Sequence, residues 1–212
     1  MFDTTSLVLL MAATLALLIT PGPAVLYVVA RSLKQGKMAG FVSTLGIGLG
    51  SVVHVIFAAL GLSTLLLKSA LAFSIVKYMG AAYLLYLGVR TLARKAEAAD
   101  MQHVQAMSHV QIFRQGFIVN LLNPKTALFF LSFLPQFVDP LRGSVTMQII
   151  ILGTIFITMA ILSDSAYALV AGTAGHLISG NKSVAQVQKY LAGTIYIGLG
   201  LAAAFSGNGQ SK

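Results

Sequence analysis

Six times along this chain a run of about twenty predominantly apolar residues passes with hardly a charge: over 6–30, 40–63, 70–92, 113–135, 146–171 and 190–206. A helical run of that length spans the hydrocarbon core of a bilayer. In hydrocarbon each backbone N–H and C=O must find its partner within the protein, which confines such runs to a helical bundle. Only 9% of the 212 residues are charged and 57% are hydrophobic, against about 25% charged in a soluble domain. Too little polar surface remains to coat a globule in water. The expected fold is an all-α membrane protein of six transmembrane helices.

Charge placement sets the expected topology. The net charge is +9, from 14 Lys and Arg against 5 Asp and Glu. The basic residues sit between apolar runs, which suits topology and lipid headgroups and not nucleic acid. Numbering the loops in order, the odd ones carry Arg31, Lys34, Lys37, Arg90, Arg94, Lys95, Arg114, Lys182 and Lys189. The even loops and the two ends carry Lys68, Lys77, Arg142 and Lys212. Positive loops stay in the cytoplasm, so both termini are expected outside. The opening MFDTTS has no basic residue to start a signal peptide, and the first run is expected to remain as a membrane helix.

A polar stretch, taken as a cytoplasmic linker over 93–112, holds Glu97 and Asp100 and divides the chain into three-helix units, 1–92 and 113–212. A shift of 112 aligns KYMGAAYLLYLG (Lys77 to Gly88) with KYLAGTIYIGLG (Lys189 to Gly200). A shift of 103 aligns Pro21 with Pro124, Gly40 with Gly143 and Gly50 with Gly153. Because three spans is an odd number, a second copy enters the membrane from the opposite side. The expected architecture is a pair of inverted repeats, as in many secondary transporters.

Two of the runs contain prolines. In TPGP, Pro21 and Pro23 cannot donate to the carbonyls of Leu17 and Ile19, and Gly22 lets the backbone bend. In LLNPK, Pro124 frees the carbonyl of Asn120, with the Asn120 and Asn123 amides nearby. Pro21 precedes Arg31 by ten residues and Pro124 follows Arg114 by ten, which puts each break about 15 Å into the membrane. A lone proline reads as a kink, since Pro is frequent in membrane helices. Two breaks at matched depth point to a substrate site at Pro21, Gly22, Pro23, Asn120, Asn123, Pro124 and Lys125. The free N–H end of a broken helix suits a carboxylate and the free C=O end an ammonium, so a zwitterionic amino acid matches both.

Asp164 is the one acid inside a run. Such a residue marks function by default, and a carboxyl that exchanges a proton for substrate can couple transport to protons. Lys125, directly after Pro124, either neutralises Asp164 or receives a substrate carboxylate. His54 is a candidate proton relay or a hydrogen-bonded helix-contact histidine. Gly46 and Gly50, four apart, suit close helix packing. Enzyme signatures are missing: no H-E-x-x-H and no phosphate-binding Gly-x-x-x-x-Gly-Lys. No cysteine is available for disulfides or thiol chemistry. No cofactor or metal site is expected.

TPGP, the following ARSLKQGKMAGFVSTLGIGLG, and GFIVNLLNPKTALFFLSFLPQFV together resemble the LysE/RhtB superfamily of bacterial amino-acid exporters, most closely its RhtB branch. The resemblance covers essentially the whole chain. It implies an inner-membrane carrier that exports neutral amino acids or derivatives of the homoserine, threonine or leucine type by proton antiport. Substrate, protons and membrane lipid are the implied partners, and a homo-oligomer is left open. An exporter of basic amino acids or cations, or a passive channel-like pore, is the alternative. One membrane acid is few for a cationic cargo, which favours neutral substrates.

Overall fold

The computed structural model describes residues 2–62, 70–93, 106–178 and 182–205. Most of the polar linker, with Arg94, Lys95, Glu97 and Asp100, lies outside the described residues, as do Lys68 and Lys212. The described chain is helical, without strands. Helix α1 spans Thr4–Ile19 and α2 spans Pro23–Phe57, continued by a π-helical turn at Ala58–Leu62. Helix α3 is Ala70–Ala93, α4 is His109–Leu121 and α5 is Pro124–Leu128. A π turn, Phe129–Phe133, and a 3-10 turn, Leu134–Phe137, prolong α5. Helix α6 is Val145–Ile178 and α7 is Lys182–Phe205.

By length and composition two helices can cross a membrane, Pro23–Gly61 and Val145–Thr173. The bent pair His109–Leu121 and Pro124–Phe137, at 46°, adds a third if it forms one span. Large apolar side chains such as Leu15, Leu45, Ile56, Leu60 and Leu162 stand exposed, as expected where the surroundings are lipid.

The breaks fall where the prolines put them. α1 stops at Ile19, Thr20 and Gly22 are extended, and α2 restarts with Pro23 in its first turn, where a missing N–H costs nothing. α2 is not straight either. Gly36 has φ 81 and ψ 172, a conformation a side chain resists, and there the helix reverses. Val28 before the turn shares a buried cluster with Ile47 after it and with Ala168 of α6. The stretch before Gly36 thus lies back against the stretch after it, with Ser32 beside Gly40, so Pro23–Gly61 is one helix by length alone and two by direction.

The reversal corrects one pairing of the two halves. Gly40, aligned with Gly143 by the shift of 103, is buried within a helix against Ser32 and Ala168. Gly143 is an exposed turn residue with φ 117. Gly36 and Gly143 are the two glycines with positive φ among the described residues.

The polar connections gather at two ends. At one, the Gln35 side chain pairs with both the N–H and the C=O of Met107, at 3.0 and 2.7 Å. Arg31 donates to Gln115 at 3.0 Å, and Gly172 of α6 abuts the Lys37 backbone. Arg31, expected as a loop cation, is only 7% exposed and so faces protein more than lipid headgroups. At the other end, Gln148 pairs with the N–H and C=O of Asp139, at 3.0 and 2.8 Å. There Arg142 bridges Asp139 at 3.0 Å and Asp3 at 3.6 Å. The Ser6 N–H and hydroxyl hold the Asp3 carboxyl below the usual carboxylate range, with Arg142 adding to the effect.

Between these ends, α2 and α4 pack backbone to backbone. A Cβ on Gly46 would strike the Phe113 carbonyl, and one on Gly50 would sit 3.1 Å from the Phe117 carbonyl. Gly48, two residues away, faces only the end of the Ile161 side chain, at 3.3 Å. Gly46→Ala is therefore expected to lower stability by about 1–3 kcal/mol through overpacking. Gly48→Ala should change it by less than about 0.5 kcal/mol, since Ile161 can turn aside. Thermal unfolding of the two variants in detergent compares them directly.

Candidate functional site

The chemistry of the site begins with carbonyls that proline leaves without donors. At the first break the Leu17 carbonyl takes the Thr20 N–H at 3.2 Å. The Ile19 carbonyl takes the Tyr167 hydroxyl at 2.8 Å, and the Thr20 carbonyl takes Lys125 Nζ at 2.6 Å. At the second break, Asn123 caps α5, its Oδ1 accepting the Lys125 N–H at 3.1 Å. The freed Asn120 carbonyl accepts the Asn123 N–H at 3.0 Å and faces His54 Nε2, also at 3.0 Å. A carbonyl only accepts, so His54 carries its proton on Nε2. The His54 ring lies parallel to Phe130, centroids 6.1 Å apart.

Asn120 is the hub that holds the second break against α2. Its Nδ2 donates to the Ile47 carbonyl at 2.8 Å and to Ser51 Oγ at 2.9 Å. Its Oδ1 accepts from the Thr126 hydroxyl at 3.0 Å and from Asn123 Nδ2 at 3.4 Å. All the donor and acceptor positions of one buried amide are occupied, which fixes its orientation.

Lys125 joins the two breaks. It is 6% exposed, too deep for its ammonium to reach an interface. Its aliphatic stem lies over Gly22, where a Cβ would sit 3.1 Å from Cδ. Nζ stands 6.0 Å from the centre of the Tyr196 ring, within cation–π range. Asp164, 3% exposed, faces the same cavity. Among the described residues its carboxyl makes no hydrogen bond and lies beyond 4.0 Å from Lys125 Nζ, which is bonded to Thr20, yet the two charges are near enough to act on each other.

The cavity between these groups holds about 30 Å³. That admits one or two waters, whereas a benzene-sized guest needs about 150 Å³. Ser51, Asn120, Asn123, Lys125, Thr126 and Asp164 form its polar wall. Leu17, Leu18, Phe156 and Ala160 belong to its apolar side. Of the residues singled out in the sequence, Gly22, Asn120, Asn123, Lys125 and Asp164 come together here. Pro21, Pro23, Pro124 and His54 do not line the cavity. The prolines shape the breaks, and His54 buttresses Asn120 from behind.

Several participants escaped the sequence reading: the Thr20 carbonyl, Ser51, Thr126, Tyr167 and Tyr196, and the apolar pair Phe156 and Ala160. Tyr167 had a usable signal, since it sits three residues after Asp164 and so on the same helical face. A backbone carbonyl has no signature of its own.

Broken membrane helices that meet at a small cavity with a polar and an apolar wall are the build of a small-molecule carrier. The family model for the LysE type translocator matches residues 15–207, and the chain belongs to that family. It is 32% identical over 186 residues to the leucine efflux protein of Salmonella typhimurium, covering 86% of each chain. It is 33% identical over 181 residues to the homoserine/homoserine lactone efflux protein of the same species, covering 85% of this chain and 86% of the relative. An uncharacterized membrane protein of Bacillus subtilis is 32% identical over 194 residues, 87% of this chain and 91% of its own. No solved structure matches. The family and its efflux members are transporters, not enzymes.

Removing the hub tests the site's construction. Asn120→Ala removes four hydrogen bonds, leaves the Thr126 hydroxyl and the Asn123 amide without their acceptor and is expected to cost about 3 kcal/mol, while Ser51→Ala should cost only about 1 kcal/mol. Unfolding midpoints in detergent measure both.

Proposed function

We propose that this protein exports neutral amino acids or close derivatives, of the homoserine, threonine or leucine type, from the cytoplasm in exchange for protons. One observation carries the reading: a lysine from one helix break bonded to a carbonyl of the other, with the Asp164 carboxyl on the same cavity. An amino acid brings a carboxylate for Lys125 Nζ and an ammonium for Asp164. A proton arriving from outside neutralises Asp164 and releases the ammonium. Loss of that proton to the cytoplasm readies the site for the next substrate. His54 holds the Asn120 carbonyl and has no part in this exchange of charges.

The cavity, at about 30 Å³, is too small for an amino acid as it stands, which favours a carrier with moving helices over a passive pore. Neutral substrates fit because Asp164 is the only acid lining the cavity among the described residues. A second acid would be needed to balance a cationic side chain.

Six spans in two inverted repeats remain the preferred layout, with the bacterial inner membrane as the location. Support comes from α3 and α7. A Cβ on Gly88 would lie 2.6 Å from Ile197 and 2.9 Å from the Gly193 carbonyl. One on Gly200 would lie 2.9 Å from Leu85 and 3.0 Å from the Ala81 carbonyl. The shift of 112 converts each contact into the other, as a two-fold relation between repeats requires. The end holding Lys34, Lys37 and Arg114 is assigned to the cytoplasm and the Asp3–Arg142 end to the outside.

Purified protein in proteoliposomes should show saturable counterflow of neutral amino acids and concentrative export that collapses with the proton gradient. Asp164→Asn is expected to lower gradient-driven export at least tenfold. Full gradient-driven export by this variant would remove Asp164 from the coupling.

A further inference from the structure

The apolar side of the cavity has a shape that the exchange of charges does not use. Phe156, Ala160 and Asp164 are spaced by four on α6 and all three line the cavity, so they form one stripe along a single helix face. At 1.5 Å per residue, Ala160 lies about 6 Å and Phe156 about 12 Å along the helix from the carboxyl residue. Phe156 is a rigid stop. Its ring is stacked on Phe129 at 4.5 Å and meets Phe130 edge-on at 5.0 Å, and it is 3% exposed. Ala160 is the small residue between stop and charge, 5% exposed. Across from them, Leu17 and Leu18 of α1 supply the facing apolar surface.

We propose that Ala160 and Phe156 measure the substrate's side chain: with the ammonium at Asp164, the side chain runs along α6 over Ala160 toward Phe156, which sets the limit of its length. This rests on the amino-acid reading above and adds which part of the molecule selects among neutral substrates. A side chain of three or four carbons, each bond advancing about 1.3 Å along a staggered chain of 1.5 Å bonds, covers Ala160 and stops short of Phe156. Branching or a hydroxyl is accepted within the space left by the alanine methyl. A larger residue at 160 shortens the ruler, and a smaller residue at 156 lengthens it.

The test is counterflow in proteoliposomes with an unbranched series, alanine, 2-aminobutyrate, norvaline and norleucine, each longer by one methylene. Wild type gives the reference profile. Ala160→Leu should shift preference toward alanine, cutting norleucine relative to alanine about tenfold or more, the size of discrimination one or two methylenes give in an apolar pocket. Phe156→Leu and Ala160→Gly should shift the ratio toward norleucine. If Ala160→Leu does not fold, these two milder variants decide the matter. Equal rate changes across the series in every folded variant, or no change, would overturn the ruler while leaving amino-acid transport standing. A wild type that carries homoserine, threonine or leucine but none of the series would overturn the ruler alone, and one that carries none of these would overturn the amino-acid reading and the ruler with it.

Discussion

Lys125 Nζ bonded to the Thr20 carbonyl is the contact on which the middle of this protein depends. Hydrocarbon offers no water to a carbonyl that a helix break leaves without its donor, so each break demands a partner from elsewhere in the chain. The first break obtains its partners from the second break and from α6, through Lys125 and Tyr167. The second obtains its partners from α2, through His54, and from its own Asn123. The need to satisfy a handful of backbone oxygens thus draws α1, α2, α5 and α6 to one point. The cavity is what remains between side chains recruited for that purpose.

Much of this was legible. TPGP and NPK located both breaks, and the ten-residue spacing from Arg31 and Arg114 put them at one depth, which the bond between Lys125 and Thr20 requires. Side-chain chemistry in an apolar setting identified Lys125 and Asp164 because charge there is costly. What sequence could not tell was which partner each group would choose. A pair between Lys125 and Asp164 looked natural, yet Nζ bonds a carbonyl and leaves the carboxyl facing the cavity. That choice is set by where α1 stops relative to α5, a matter of packing between residues 105 positions apart. The pairing of Gly40 with Gly143 failed for a related reason. Glycine serves both close helix contact and reversal of the chain, and identity alone does not distinguish the two uses.

The same division explains the loops. Arg31 was counted with the exposed cations, although it ends a helix that packs on α4 and donates to Gln115. At both ends of the molecule a glutamine does the fastening, Gln35 on Met107 and Gln148 on Asp139, each matching one backbone N–H and C=O with its own amide. These are neutral hydrogen bonds worth about 1 kcal/mol apiece. By contrast, the α2–α4 seam is closed by backbone meeting backbone at Gly46, Gly50 and Gly116.

In the proposed cycle, an amino acid is matched to the bond it has to open. When a substrate carboxylate draws Lys125 Nζ away, the Thr20 carbonyl is left buried without a donor, at a cost of about 1–3 kcal/mol. A molecule with only a carboxylate leaves that cost in place. One with only an amine finds the carbonyl and Asp164 but has nothing to offer Lys125. A zwitterion carries the displaced partner's replacement on the adjacent atom: its carboxylate takes the lysine, and its ammonium, with three donors, reaches Asp164 and has donors over for the Thr20 carbonyl. Binding then separates the two helix breaks without leaving either unpaired. In the proposed cycle this is what lets substrate entry, and not thermal motion alone, loosen the contact that holds the closed state.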